Sequence, residues 1–353
     1  MADIVQGSPD ALKPRAQTDD RFAYGAGLLV CLAIAIVAWL LGERVPLVGA
    51  PIFAILIGVA LANTIGGAKL NSRLKIGKIS GYALRAGIIL LGATLNLGAV
   101  VETGLSSLWL LALTITAGLG FALLVGRRMN VDWRMRCLIG IGTTICGGSA
   151  IAALAPVIRA KTEEIAYAIS VVFLFNMLAV IFFPAIGHGI GLSDTGFGMW
   201  AGTAINDTSA VVAAGFAYSP AAGAFATIVK LTRTTLIIPL VLGFGLAMPW
   251  LDPEARNSGR GDLGARLKKA VPWFIGLFVI ASLINTLGLV GSAAPQVQLA
   301  ARFVMVVALA AVGLQGHWRA FAGAGFKPLG LGLGTWAAVA LVSLAIQSWT
   351  GQL

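Results

Sequence analysis

Two cations three residues apart stand in the middle of an apolar stretch. Lys230 and Arg233 lie within segment 222–248, and at ~1.5 Å per residue that position is close to the centre of a bilayer-spanning helix. A snorkelling side chain reaches water from near a helix end, and these two are too deep for that. Their spacing puts both on one helix face. An ionisable group at such depth costs roughly 2.5–3.5 kcal/mol on insertion scales, so it marks function by default. One acid, Asp207, sits in a polar interruption of another apolar segment. Either the cations form a buried ion pair with Asp207 that ties two helices together, or they face a negatively charged solute. The two readings are compatible, because two cations against one acid leave a surplus positive charge. Arg85 reads equally as an anchor reaching toward the basic loop 67–78 and as a further site residue. Arg302, near the end of its segment, reads as an interfacial anchor.

The interruption that holds Asp207 has a counterpart. Residues 142–153 read GTTICGGSAIAA and residues 202–213 read GTAINDTSAVVA. The shared pattern is Gly-Thr-x-Ile-x-x-x-Ser-Ala-[Ile/Val]-x-Ala, which marks an internal duplication. Each copy has an apolar half, a small polar centre and a second half starting at Ser. Ser is a favoured N-cap, so Ser149 and Ser209 are expected to open new half-helices. Freed backbone groups at membrane depth are tolerated only inside protein or beside a water-filled cavity, so the two breaks should meet in the interior. A half-helix N-terminus offers free N–H groups and about half a positive charge, and oxyanions bind there. Cys146, Gly147, Gly148 and Ser149 form one tip, and Asn206, Asp207, Thr208 and Ser209 form the other. Gly147 and Gly148 allow backbone to approach a ligand, and Ser149, Thr208 and Ser209 add hydroxyls that cap the helix, contact a ligand, or both. Asn176, mid-span in 165–187, serves as interhelical glue or lines the site. Asp207 is either a proton carrier or simply the partner of Lys230.

These residues must be positioned by membrane helices. The 353-residue chain is 58% apolar and only 11% charged, with 45 Gly, whereas soluble domains carry about 25% charged residues. Full-length apolar segments fall near 22–41, 47–66, 80–97, 106–126, 165–187, 222–248, 271–290, 297–316 and 328–349. The interrupted segments 137–158 and 196–217 stand apart. The expected architecture is an all-α polytopic membrane protein with about nine to eleven transmembrane segments, two of them interrupted or re-entrant. If both interrupted segments cross the membrane they run the same way; if both are hairpins they form an inverted pair, as in many secondary transporters. The charged 159–164 turn lies inside only in the hairpin case, which favours hairpins. The net charge of +11 is mostly the positive-inside rule at work, and no nucleic-acid role is expected. Basic loops at Lys69, Arg73, Lys75 and Lys78, at Arg127, Arg128, Arg134 and Arg136, within 249–270, and at Arg319 and Lys327 agree on a cytoplasmic amino terminus. Residues 1–21 read as a disordered cytoplasmic tail and 22–350 as one transmembrane domain, in a bacterial inner membrane.

The stretches CGGSAIAALAPVI (146–158), AGTAINDTSAVVAAG (201–215) and KLTRTTLIIP (230–239) resemble the YeiH-like sulfate exporter family, grouped with cation/proton antiporters and anion transporters. The resemblance covers roughly residues 25–350 and implies an inverted-repeat secondary transporter whose core moves against a scaffold, carrying a small oxyanion such as sulfate. Exchange of organic acids or sulfonates, proton or sodium coupling, an anion channel, and a homodimer are the alternatives and additions it leaves open. Enzymatic chemistry finds no support: there is no Gly-Lys-Ser/Thr phosphate loop and no His-Glu-x-x-His motif. Cys31, Cys137 and Cys146 have neither disulfide nor metal-ligand spacing, so no metal or cofactor is expected.

Overall fold

The computed structural model describes residues 13–44, 49–64, 73–251, 273–315 and 326–353. Among them there are helices and no strands. In chain order these are α1 (Lys13–Arg44), α2 (Gly49–Thr64), α3 (Ile76–Gly92), α4 (Leu97–Arg128), α5 (Trp133–Thr144), α6 (Gly148–Leu154) and α7 (Thr162–Gly189). They continue as α8 (Asp194–Ala204), α9 (Thr208–Tyr218), α10 (Pro220–Thr235), α11 (Ile237–Leu251), α12 (Trp273–Thr286), α13 (Ala294–Gly313) and α14 (Phe326–Thr350). Residues 13–21 of the expected tail are thus helical, while residues 1–12 lie outside the described residues. So do Lys69, Arg319 and nearly all of the 249–270 loop.

Six helical stretches are long and apolar enough to cross a membrane: Phe22–Arg44, Leu97–Arg128, Glu163–Gly189, Pro220–Phe244, Gly291–Gly313 and Phe326–Thr350. The shortest have 23 residues, and at ~1.5 Å per residue that exceeds the ~30 Å hydrocarbon thickness. The expected spans 47–66, 80–97 and 271–290 appear as shorter helices, α2, α3 and α12, of 16, 17 and 14 residues. Large apolar side chains also cover the outside: Leu105 is 63%, Leu124 71%, Phe182 52% and Leu341 65% exposed. A water-soluble surface rarely carries so much apolar area; in lipid it is the expected exterior. This is a multi-pass membrane protein.

The helices pack in two groups. α13 lies against α2 and α3, with α1 on α2 and α13, and α12 on α3. The second group joins α4, α5, α7, α8, α10 and α14. Helix α9 belongs to the second group through α7 and α10 and touches the first through α2 and α13. Small residues permit the closest approaches. A Cβ on Gly58 would come within 2.8 Å of Ala310 O, and one on Gly313 within 2.5 Å of Ile55 O, so α2 and α13 cross nearly backbone to backbone.

Neither interrupted segment runs straight through. Arg134 Nε, at the start of α5, donates to Ile158 O at 3.2 Å, just beyond α6. Ser219 Oγ, at the end of α9, donates to Asp194 Oδ1 at the start of α8 at 2.6 Å, and Tyr218 Oη donates to Leu192 O. Each pair of half-helices is therefore a hairpin whose two ends meet. The first opens at the Lys161 end of α7, the second at its Gly189 end. Local chemistry fixes these entries. Asp132 caps α5 through Arg134 N (2.9 Å), Ser193 caps α8 through Gly196 N (3.0 Å), and the Glu164 carboxylate takes Lys161 N (2.7 Å) before α7. Each supplies an acceptor to otherwise orphan N–H groups. Ser219 also caps α10 through Ala222 N (3.0 Å), with Pro220 at the first helical position, where its missing N–H costs nothing.

Candidate functional site

The two hairpin tips meet on α10. Helix α5 ends at Thr144 and helix α8 at Ala204, and a helix leaves unpaired carbonyls at its C-terminus. Lys230 Nζ donates to Ile145 O (2.5 Å) and to Ile205 O (3.1 Å). Residues 145 and 205 hold the same position in the two sequence copies, so one ammonium bridges equivalent carbonyls of both breaks. Arg233 completes the arrangement. Its Nε donates to Thr144 O (2.6 Å), one terminal nitrogen to Thr143 O (3.0 Å), and the other to Gly202 O (3.3 Å) and Ile205 O (3.1 Å). Both side chains are fully buried. A cation at a helix C-terminus opposes the negative end of the macrodipole; here two cations serve two such ends at once.

This corrects the expected ion pair. The carboxylate of Asp207 accepts from Ser209 N (2.8 Å) and from Ser209 Oγ at the N-terminus of α9, and no hydrogen bond joins it to Lys230 or Arg233, whose donors go to backbone carbonyls. Asp207 is the N-cap of α9, and Ser209 lies two residues inside. Ser149 is likewise not a cap: Gly147 holds that position before α6, with φ 65° and ψ −127°, a backbone conformation that a side chain would strain. The breaks thus fall at 145–147 and 205–207, two residues before the serines expected to open the half-helices. An aspartate caps as well as a serine, and a glycine alone fits the turn at 147.

Asn176, on α7, ties the second tip in place. Its Oδ1 accepts from Asn206 N (3.0 Å) and Asp207 N (3.1 Å). Its Nδ2 lies 3.9 Å from where a Cβ on Gly147 would stand, so Asn176 touches both breaks. Asn206 is fully buried, yet neither its Oδ1 nor its Nδ2 has a hydrogen-bond partner among the described residues; Thr143 Oγ1, in a residue 1% exposed, has none there either. Such groups each cost about 1–3 kcal/mol when left unsatisfied. Access differs across the crossing. Lys230, Arg233, Asn206, Gly147 and Cys146 are buried, Gly148, Asp207 and Thr208 are half-buried, and Ser149 is exposed. The half-helix N-termini, not the cations, face the reachable side. Arg85 is not brought here: its guanidinium lies over the Tyr82 and Trp273 rings, each centroid 6.0 Å away, on α3 and α12.

The sequence is matched over residues 26–332 by the family model described as conserved hypothetical protein 698. The chain belongs to the conserved hypothetical protein 698 family. Its relatives carry the name UPF0324 membrane protein. The one from Clostridium tetani is 38% identical over 94% of this chain and 98% of its own length. The one from Streptococcus pyogenes serotype M6 is 41% identical over 91% and 96%, and that from Streptococcus mutans is 40% identical over 94% and 98%. The match spans both breaks and α10, so the crossing lies inside the family domain rather than in an appendage.

Within that domain, simple counting describes the electrostatics. Lys230 and Arg233 against Asp207 leave one positive charge at the crossing when all three are ionised. The C-termini of α5 and α8 each contribute about half a negative charge and the N-terminus of α9 about half a positive one. The backbone acceptors of Lys230 and Arg233 escaped the sequence reading because carbonyls belong to every residue alike. A signal was nonetheless present: two donors one turn apart, and two broken copies each exposing a C-terminus.

Proposed function

We propose that this protein is a secondary transporter that moves a small inorganic oxyanion across the bacterial inner membrane. The sequence resemblance makes sulfate the first candidate and export the direction. In this reading nine spans and two re-entrant hairpins form an inverted repeat, with a cytoplasmic amino terminus. The hairpins meet near the midplane, where many such carriers bind substrate.

One observation carries the reading. A buried Asn206 amide, without a partner among the described residues, stands at the junction of two helix breaks, beside the half-buried N-terminus of α9 and one surplus positive charge. A small anion accepts from N–H and O–H donors, so Asn206 Nδ2 and the Thr208 and Ser149 hydroxyls form a donor set suited to it. Lys230 and Arg233 act from behind, holding the two C-termini together and supplying charge without touching the solute. Small shifts of the hairpins against α2 and α13 then change which side reaches the tips. Purified protein in proteoliposomes tests this by uptake of labelled sulfate against a panel of competing anions and imposed pH gradients. Saturable uptake with counter-transport supports a carrier. Flux without counter-transport or saturation identifies a channel, and no anion flux at all removes the proposal.

Asp207 favours proton coupling as an addition. Its carboxylate is half-buried and bonded within the N-terminus of α9. Protonation removes the charge that opposes the surplus cation, which strengthens anion binding on the side where the proton is taken up. Proton-coupled exchange of organic acids or sulfonates uses the same groups, and a homodimer through the apolar exterior fits a scaffold-and-core carrier.

A further inference from the structure

A second place in the molecule has the makings of a ligand path. A cavity of about 130 Å³ lies between the two helix groups, with Trp39 of α1 and Ala50 and Pro51 of α2 on one wall and Phe216 of α9 on the other. Among the described residues, Arg302 of α13 is the one ionisable group lining it. Its Nε is buried and has no hydrogen-bond partner among them. An unpartnered guanidinium donor is costly to bury, and Arg lacks the option of shedding its charge. Arg302 as a whole is half-buried, as an interfacial anchor near the end of its segment would be. Glu43, at the C-terminal end of α1, accepts through its Oε1 from Trp39 Nε1 on the cavity wall at 2.9 Å.

The position of the cavity gives the guanidinium a purpose. Its lining runs from Pro220, at the α9–α10 turn, down to Val212. Val212 is four residues from Thr208, or ~6 Å along the helix axis, so the cavity stops about one turn short of the candidate site. Its walls belong to the two groups that must move against each other for the tips to change access. The loop preceding α13 and the turn preceding α8 lie at the same end, the end expected to face outward. At ~30 Å³ for each water in the liquid, the space holds one tetrahedral oxyanion with residual water.

We propose that this cavity is the outer vestibule of the anion path, and that Arg302 is the specificity-determining cation that receives the solute from the crossing. This rests on the anion-transport reading, so its test uses charge selectivity as well as flux. Phe216→Cys is introduced into a background carrying Cys31→Ser, Cys137→Ser and Cys146→Ser, and the full-length protein is reconstituted. The labelling rates of an anionic and a cationic methanethiosulfonate, both membrane-impermeant, are then compared. The anionic reagent is expected to react at least tenfold faster than the cationic one. Arg302→Gln should abolish that preference and Arg302→Lys should keep most of it. In flux assays Arg302→Gln should raise the outer-side half-saturation for sulfate about tenfold. Equal labelling rates in the presence of Arg302, or no labelling of the Phe216→Cys variant by either reagent, overturn the vestibule. Anionic preference in a protein that carries no sulfate upholds the vestibule and sinks the sulfate reading instead.

Discussion

Replacing Arg233 by Ala is the most direct test of how the crossing is held. The guanidinium supplies four hydrogen bonds, to the carbonyls of Thr143, Thr144, Gly202 and Ile205. Ile205 O keeps Lys230, so three buried helix-end acceptors lose the side-chain donor that serves them. At about 1–3 kcal/mol for each unsatisfied group the loss is roughly 3–9 kcal/mol. The desolvation of the arginine, several kcal/mol, is relieved at the same time. The net cost is therefore about 2–4 kcal/mol, concentrated at the junction rather than spread over the bundle. Cys146 reports on that junction. It is 4% exposed and adjoins Ile145 and Gly147, so a thiol reagent labels it only when the tips separate. At ~1.4 kcal/mol per tenfold, a loss of about 3 kcal/mol raises the open population, and the labelling rate in a Cys31→Ser, Cys137→Ser background, about a hundredfold. Arg233→Lys, which keeps the charge but not the fork, should fall between. A labelling rate for Arg233→Ala within about threefold of the parent would refute the view that the arginine clamps the two C-termini.

Three other outcomes follow from the same geometry. Asp207→Asn keeps an N-cap of nearly equal strength, so thermal stability in detergent should change by less than about 1 kcal/mol while the pH dependence of flux flattens; an unaltered pH profile removes Asp207 from coupling. Gly147→Ala meets ordinary contacts, its Cβ lying 3.5 Å from Val172, but must hold φ 65°, so calorimetry should register a loss of about 1–3 kcal/mol from backbone strain alone. Asn176→Ala strands the amides of Asn206 and Asp207 and should cost about 2–4 kcal/mol in chemical unfolding, whereas Asn176→Asp, which still offers an oxygen, should recover part of it.

Much of this arrangement was legible in the sequence. The duplicated pattern marked both breaks, and the charge of the 159–164 turn pointed to hairpins, which the Arg134–Ile158 and Ser219–Asp194 contacts close. Lys230 and Arg233 were conspicuous because apolar surroundings make any charge conspicuous. What escaped was the identity of their partners. A sequence displays side chains, so the search for a counter-charge led to Asp207, the acid set in a polar break of an apolar segment. The structure answers with main-chain oxygens, whose collective charge exists only once a helix has formed and stopped. The cap positions escaped for a related reason. Ser, Asp and Gly all end or begin helices acceptably, and the choice among them at 147 and 207 was settled by which backbone turn brings both tips onto one helix.

The two readings of the buried cations that the sequence held open were a structural tie and a solute site, and the crossing recasts them as one device. Had Lys230 and Arg233 paired with Asp207, the acid would have offset one of the two cations, leaving the half-helix ends to be served separately. Instead the acid serves an N-terminus and the cations serve the C-termini, so the charges are separated along the hairpins. The cations are held by carbonyl dipoles that neutralise only part of their charge. The remainder acts on the more open face where Thr208 and Ser149 can be reached. Either arrangement leaves a surplus positive charge, but here the acid's charge lies at the N-terminus of α9 and the cations' charge at the two C-termini. That asymmetry is the physical reason to look for an anion there, and it makes Arg233 and Asp207 separable by experiment: loss of the first should open the junction, and loss of the second should change its charge while leaving it closed.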